Sequence, residues 1–180
     1  MVSLKPKIAG KLFFCLLLLC FFLPAALHAK RVALVIGNCS YEVSPLKNPV
    51  NDANKITNAL EELGFSVVKV TEATLRSMYD ALDQFTLDLE KGDIALFFYA
   101  GHGVQVRGEN YLLPIDSHVT TESDVRYEAF QIGRLIDRME EAQSTNIIIL
   151  DACRNNPLGR GLRRSMERGL AVIPRKPEGT

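Results

Sequence analysis

Two residues stand out for their chemistry. His102 lies in Ala100-Gly-His-Gly103 and Cys153 in Asp151-Ala-Cys-Arg154, 51 residues apart. Each follows an apolar run that reads as a buried strand. A thiol and an imidazole brought together form a nucleophile–base pair: the sulfur attacks a carbonyl carbon, and the imidazole takes the thiol proton and returns it to the leaving amine. The glycines flanking His102 keep its backbone unencumbered, and the amides of Gly103 and Cys153 are candidate donors to a developing oxyanion. Taken singly, each residue has a plainer reading. A cysteine after a buried strand is a small core residue, and a histidine between glycines is a turn residue. One His, one Cys and scattered Asp lack the spacing of metal ligands, so neither a metal nor another cofactor is assigned.

The elements that must position this pair follow from the hydrophobic pattern. Arg31 to Ile36 and Ile94 to Tyr99 are short continuous apolar runs, as expected of strands buried on both faces. Phe65 to Val70 and Asn146 to Leu150 complete a set of four. Asn48-Pro49 opens a helix with Ala53, Ile56, Leu60 and Leu63 on one face, stopped by Gly64. Thr74 opens a second helix, with Leu75, Met78, Tyr79, Leu82, Phe85 and Leu89 as its stripe, expected to end at Gly92. A loop with short strand-like pieces is expected over 100–126, and a third helix over Phe130 to Ala142. Alternating strands and helices predict an α/β fold, a mostly parallel sheet covered by helices on both faces. Ligands bind such sheets beyond the carboxyl ends of the strands, where His102 and Cys153 fall.

The 180 residues carry no formal net charge. Met1 to Lys11 holds three lysines, Leu12 to Leu27 is almost wholly apolar, and Ala29 supplies a small residue at its exit. This is the pattern of a signal peptide over residues 1–29, and export to a periplasmic or extracellular space is expected; an uncleaved N-terminal anchor is the alternative. Without residues 1–29 three of 21 basic residues go and none of 21 acidic ones, leaving a net charge of −3. That balance offers no basic surface for nucleic acid. About 150 residues suffice for one domain with a real core. Of four cysteines, Cys15 and Cys20 lie in the leader and only Cys39 and Cys153 remain, which makes no disulfide framework. Asn38-Cys39-Ser40 fits a glycosylation acceptor, or is a chance tripeptide in a loop.

These residues together resemble the caspase/metacaspase family over nearly all of residues 31–180. The resemblance rests on Ala33-Leu-Val-Ile-Gly-Asn38 with Tyr41, Leu46 to Ala53 with its Val50-Asn-Asp-Ala53, Phe97-Phe-Tyr-Ala-Gly-His-Gly103, Asn110-Tyr-Leu-Leu-Pro114, and Ile149-Leu-Asp-Ala-Cys-Arg-Asn155. The separation of 51 residues between His102 and Cys153 agrees with the roughly 50 of caspases. Asp151-Ala-Cys-Arg154 is similar to the bacterial metacaspase-like branch. The resemblance implies a caspase-like sandwich in which His102 and Cys153 are the catalytic dyad and Gly103 contributes to the oxyanion hole. It implies that Asp52 and Asp151 line a specificity pocket for Arg or Lys. A carboxylate pair suits a guanidinium, which it grips bidentately. Read without the family, Asp52 is a first-turn acid at a helix macrodipole and Asp151 a strand-end carboxylate.

The implied protein is a cysteine endopeptidase with protein or peptide substrates, its catalytic domain over 30–158. Residues 159–180 are then a basic linker and the start of the small-subunit region. Family members continue into two further strands, so a sheet short of its last strands is expected here, with a second chain able to supply them. The basic stretch Arg154–Arg168 occupies the place of the inter-subunit linker, where a peptidase preferring Arg could cut itself, or is a solvated loop. Two other functions remain open: a caspase-fold binding or regulatory module without turnover, and a different thiol enzyme such as an acyl transferase. In the family strand order the third strand separates Cys39 from Cys153, so Cys39 is expected to be free or core-packed.

Overall fold

The computed structural model describes residues 29–87 and 89–153, and for Cys153 its place in the backbone. Residues 1–28 of the expected leader, including the apolar stretch Leu12–Leu27, the basic stretch Arg154–Arg168 and the boundary near residue 158 lie outside the described residues.

The strands are β1 (Arg31–Gly37), β2 (Ser66–Thr71), β3 (Ile94–Val106), β4 (Glu109–Leu112), β5 (Phe130–Gln131) and β6 (Thr145–Cys153). The helices are α1 (Pro49–Glu62), α2 (Leu75–Thr86), α3 (Glu122–Glu128) and α4 (Ile132–Glu141). The sheet is mixed, ordered β2-β1-β3-β4-β5, with β6 also pairing β3. The pairs β1–β2, β1–β3 and β3–β6 are parallel, and β4 pairs both β3 and β5 antiparallel. With β3 between β1 and β6, the expected strand order holds.

Residues of β3 alternate between two cores. Ala95, Phe97 and Tyr99 join Met78, Leu82 and Phe85 of α2 and Ile132, Leu135 and Met139 of α4 on one face. Leu96, Phe98 and Ala100 join Ala53 and Leu60 of α1 on the other. The continuous apolar run is thus explained by helices on both sides. On α1, Pro49, Ala53, Thr57 and Leu60 turn inward at helical spacing. The helix lies close on β1: a Cβ on Gly37 would stand 2.6 Å from the Pro49 carbonyl oxygen and 2.7 Å from the Ala53 Cβ. Only glycine lets the first turn of α1 approach the end of the strand.

Three expectations need correction. The α2 helix ends at Thr86, short of Gly92. The buried Asp93 carboxylate accepts the N–H groups of Glu90 (2.9 Å) and Lys30 (2.8 Å), and this ties 90–93 into a separate turn, although Leu89 still packs on the core. The third helix begins at Ile132, because Phe130 and Gln131 pair with Leu112 and Tyr111. Residues 100–126 are far more ordered than a loop. The β3 strand continues through His102 to Val106, turns at Arg107-Gly108 and returns as β4. The turn residues have φ of 51° and 84°, as a two-residue hairpin matched to strand twist requires. The α3 helix follows, capped by a reciprocal Thr121–Asp124 pair.

Candidate active site

The parallel ladder between β3 and β6 runs from Ile94↔Thr145 to His102↔Cys153. The two residues therefore sit inside paired strands, not beyond them as the sequence suggested. Paired positions on neighbouring strands stand about 4.8 Å apart and share a face of the sheet. The ladder also pairs Ala100 with Asp151, and Ala100 packs with Ala53, the neighbour of Asp52. His102, Asp151 and the first turn of α1 are thus at one end and on one face of the sheet, with Cys153 opposite His102 in the backbone ladder. Asp151 is exposed and Asp52 half-buried.

His102 is buried, 2% exposed. Its Nε2 lies 2.7 Å from the Ser44 carbonyl oxygen. A carbonyl only accepts, so Nε2 carries a proton and, in the neutral ring, the lone pair is on Nδ1. That Nδ1 is buried and has no hydrogen-bond partner among the described residues. Burial holds the imidazole below its ordinary pKa of 6.5, opposed by the Ser44 carbonyl, which favours the charged ring.

The backbone of His102 is held as firmly as its ring. Its N–H donates to the Tyr41 phenol oxygen at 3.0 Å, and its C=O accepts from the Tyr99 phenol (2.8 Å) and the Leu113 N–H (2.9 Å). Tyr41 in turn donates to the Leu113 carbonyl at 3.0 Å. Burial pushes the Tyr41 phenol up to about 12, so it remains protonated. The Tyr41 and His102 ring centroids are 4.4 Å apart. Gly101 is required where it stands, because a Cβ there would fall 2.5 and 2.6 Å from the Tyr99 and Tyr41 phenol oxygens. Buried Asn38 joins the same end of the sheet, accepting the Ala73 N–H at 2.8 Å and reaching the Leu113 carbonyl at 3.3 Å.

Gly103 pairs with Leu112. Since Leu113 N–H donates to the His102 carbonyl, that pair is of the non-hydrogen-bonded kind, and the Gly103 N–H points away from β4. Beside His102 is a cavity of about 240 Å³ bordered by Tyr41, Val43, Leu113, Ile115, His118 and Val119 among others. Among the described residues no three His, Cys, Asp or Glu side chains gather as metal ligands would. Cys39 is a free, half-buried thiol.

Ser44, Tyr41 and Tyr99 are absent from the sequence reading of the site. Tyr41 belongs to the first motif of the resemblance, but its role needs the fold. Ser44 acts through a backbone carbonyl, which no side-chain type announces.

Fold and site together define a caspase-like α/β sandwich with a histidine at the carboxyl end of its sheet. Comparison with known proteins agrees: residues 30–176 match the family model described as the caspase domain, and the chain belongs to that family. It is 36% identical over 126 residues to human mucosa-associated lymphoid tissue lymphoma translocation protein 1 and equally to the mouse homolog, covering 69% of this chain and 15% of each relative. Metacaspase-1 of Lodderomyces elongisporus is 28% identical over 97 residues, 47% of this chain and 22% of that protein. The chain thus spans under a quarter of the length of these curated relatives. A crystal structure of a Geobacter sulfurreducens protein superimposes with a TM-score of 0.56 at 22% identity, over 69% of this chain and 50% of that one, a likeness of fold.

Proposed function

We propose that the protein is a cysteine endopeptidase that cleaves after Arg or Lys, with Cys153 as nucleophile and His102 as base. The carrying observation is the His102↔Cys153 register pair, joined to an imidazole whose Nε2–H is spent on Ser44 and whose Nδ1 has no partner among the described residues. In this reading Nδ1 takes the thiol proton as sulfur attacks the scissile carbonyl. The tetrahedral oxyanion is met by the Gly103 and Cys153 amides. Collapse expels the amine, which takes the proton from His102, and leaves a thioester. Water, deprotonated by the same nitrogen, then releases the acid and the thiol.

Asp151 and Asp52, at the same end of the sheet, are assigned to the pocket for the basic residue before the scissile bond. Self-cleavage within Arg154–Arg168 belongs to the same reading, and wild type and Cys153→Ala running identically on a gel would remove it. Export of the protein by its leader is part of the proposal. So is a second chain adding a strand to β6, where Ile147 and Ile149 are 39% and 42% exposed.

An Arg-based acyloxymethyl ketone and fluorogenic peptides ending in Arg, Lys or Asp test the proposal. Covalent modification of Cys153 and turnover of the Arg or Lys peptide are expected. Preference for the Asp peptide would overturn the pocket assignment. A folded protein with an unmodified Cys153 would favour the module without turnover.

A further inference from the structure

The connection between β1 and α1 supplies two of the groups that hold His102, the Tyr41 phenol on its N–H and the Ser44 carbonyl on its ring. Its neck is pinched where Leu46 N–H donates to the Cys39 carbonyl at 2.9 Å. One carboxylate sits at that neck. Glu72, the residue after β2, accepts the backbone N–H groups of Cys39 (3.1 Å) and Ser40 (2.9 Å) on Oε2. On Oε1 it accepts the Cys39 thiol and the Ser40 hydroxyl, each at 2.8 Å. Four bonds from two consecutive residues converge on one side chain.

The backbone under that side chain is unusual. Glu72 has φ of 52°, with its N–H bonded to the Gly37 carbonyl at 3.0 Å. This left-handed conformation is open to glycine at no steric cost and disfavours a glutamate. A turn that needed only its backbone would be better served by glycine, so the carboxylate is what the position retains. Burial by itself would raise the Glu72 pKa, but the bonds from Cys39 and Ser40 outweigh it and hold the group below its ordinary 4.5. The clamp is therefore charged at neutral pH.

We infer that Glu72 is a positioning residue for His102: it fixes the neck of the 39–46 loop and so sets the Ser44 carbonyl and Tyr41 phenol against the histidine. The inference rests on His102 being the base. It concerns a residue that touches neither substrate nor imidazole, and it separates two roles that usually fall together, folding and alignment.

Glu72→Gly separates them, because it relieves the left-handed backbone while deleting the clamp. The expected result is a folded protein whose melting temperature stays close to wild type, the relieved backbone offsetting part of the four lost bonds, with kcat on an Arg peptide lowered at least tenfold and KM within about twofold. Glu72→Gln, which keeps an acceptor oxygen, recovers part of the lost kcat. A second readout does not depend on turnover. In protein carrying ¹⁵N-histidine, wild-type His102 holds its proton on Nε2, and Glu72→Gly mixes the two tautomers. Should Glu72→Gly not fold, the Cys39→Ala/Ser40→Ala double variant removes two of the four bonds from the opposite side and is read the same way. Unchanged kcat, or an unchanged tautomer, in the folded variant overturns the inference. If wild type turns over no peptide, the peptidase reading fails, and the tautomer still decides whether Glu72 sets the ring.

Discussion

The Tyr41 phenol oxygen accepts the backbone N–H of His102 at 3.0 Å, while its ring lies 4.4 Å, centroid to centroid, from the imidazole. One side chain thus fixes both the peptide and the ring of the same residue. Tyr41→Phe keeps the ring contact and deletes the acceptor, leaving a buried N–H without its partner. Such a loss costs about 1–3 kcal/mol. Urea unfolding should show a lower midpoint with the slope unchanged, and peptide turnover should fall with it. An unaltered midpoint would mean the N–H finds another acceptor.

Gly101→Ala acts at the same point from the other side. The new methyl would overlap two phenol oxygens, at 2.5 and 2.6 Å. Both phenols belong to the buried network under His102, so the strand or the tyrosines must shift. Overpacking of this kind costs about 1–3 kcal/mol. The variant should melt lower than wild type and lose most peptidase activity. Wild-type melting and turnover would show that the network has slack.

The His102 imidazole, held below 6.5 by burial, dictates a pH dependence. With neutral His102 as the proposed base, kcat/KM should fall as pH drops through the lowered folded value, giving an acid limb with a midpoint below 6.5. Stability follows from linkage. Just below pH 6.5 the unfolded chain binds more protons than the folded one, so stability rises with pH there. The contribution is complete above 6.5 and is lost as pH falls through the folded value. His102→Gln should remove that part of the slope. An acid limb centred above 6.5 would contradict the burial argument.

Asp151 is exposed in β6, level with Ala100 and two residues before Cys153. If it grips a substrate guanidinium, Asp151→Asn should lower kcat/KM for an Arg peptide by about tenfold or more, the scale of a lost charge-assisted bond. Melting should barely change, because the side chain faces solvent. Asp52→Asn should show a smaller loss for Arg and Lys peptides alike. Equal activity of both variants and wild type would take these carboxylates out of the pocket.

Much of the architecture was readable from residue types. The apolar runs of β1 and β3 announce strands covered on both faces, and α1 and α2 with α4 supply that cover. The hairpin reads only as strand-like pieces in a loop, because the glycines around His102 suggest an end to the strand. Pairing with β6 and β4 overrode that local signal. At Leu87–Asp93, hydrophobic spacing continued past the helix, because Leu89 reaches the core from outside it.

The order of elements and the identities of the histidine, the cysteine and the acids are properties of the chain itself, set by burial patterns and side-chain chemistry. Which residue of β3 stands opposite which residue of β6 is not, since pairing between segments 51 residues apart depends on how whole strands slide and pack. Nor could the chain alone reveal that Ser44 would direct the imidazole or that Glu72 would hold Ser44's loop. Every residue has a carbonyl, and a left-handed glutamate leaves no pattern. Folding alone selects which of those groups is brought within hydrogen-bonding range.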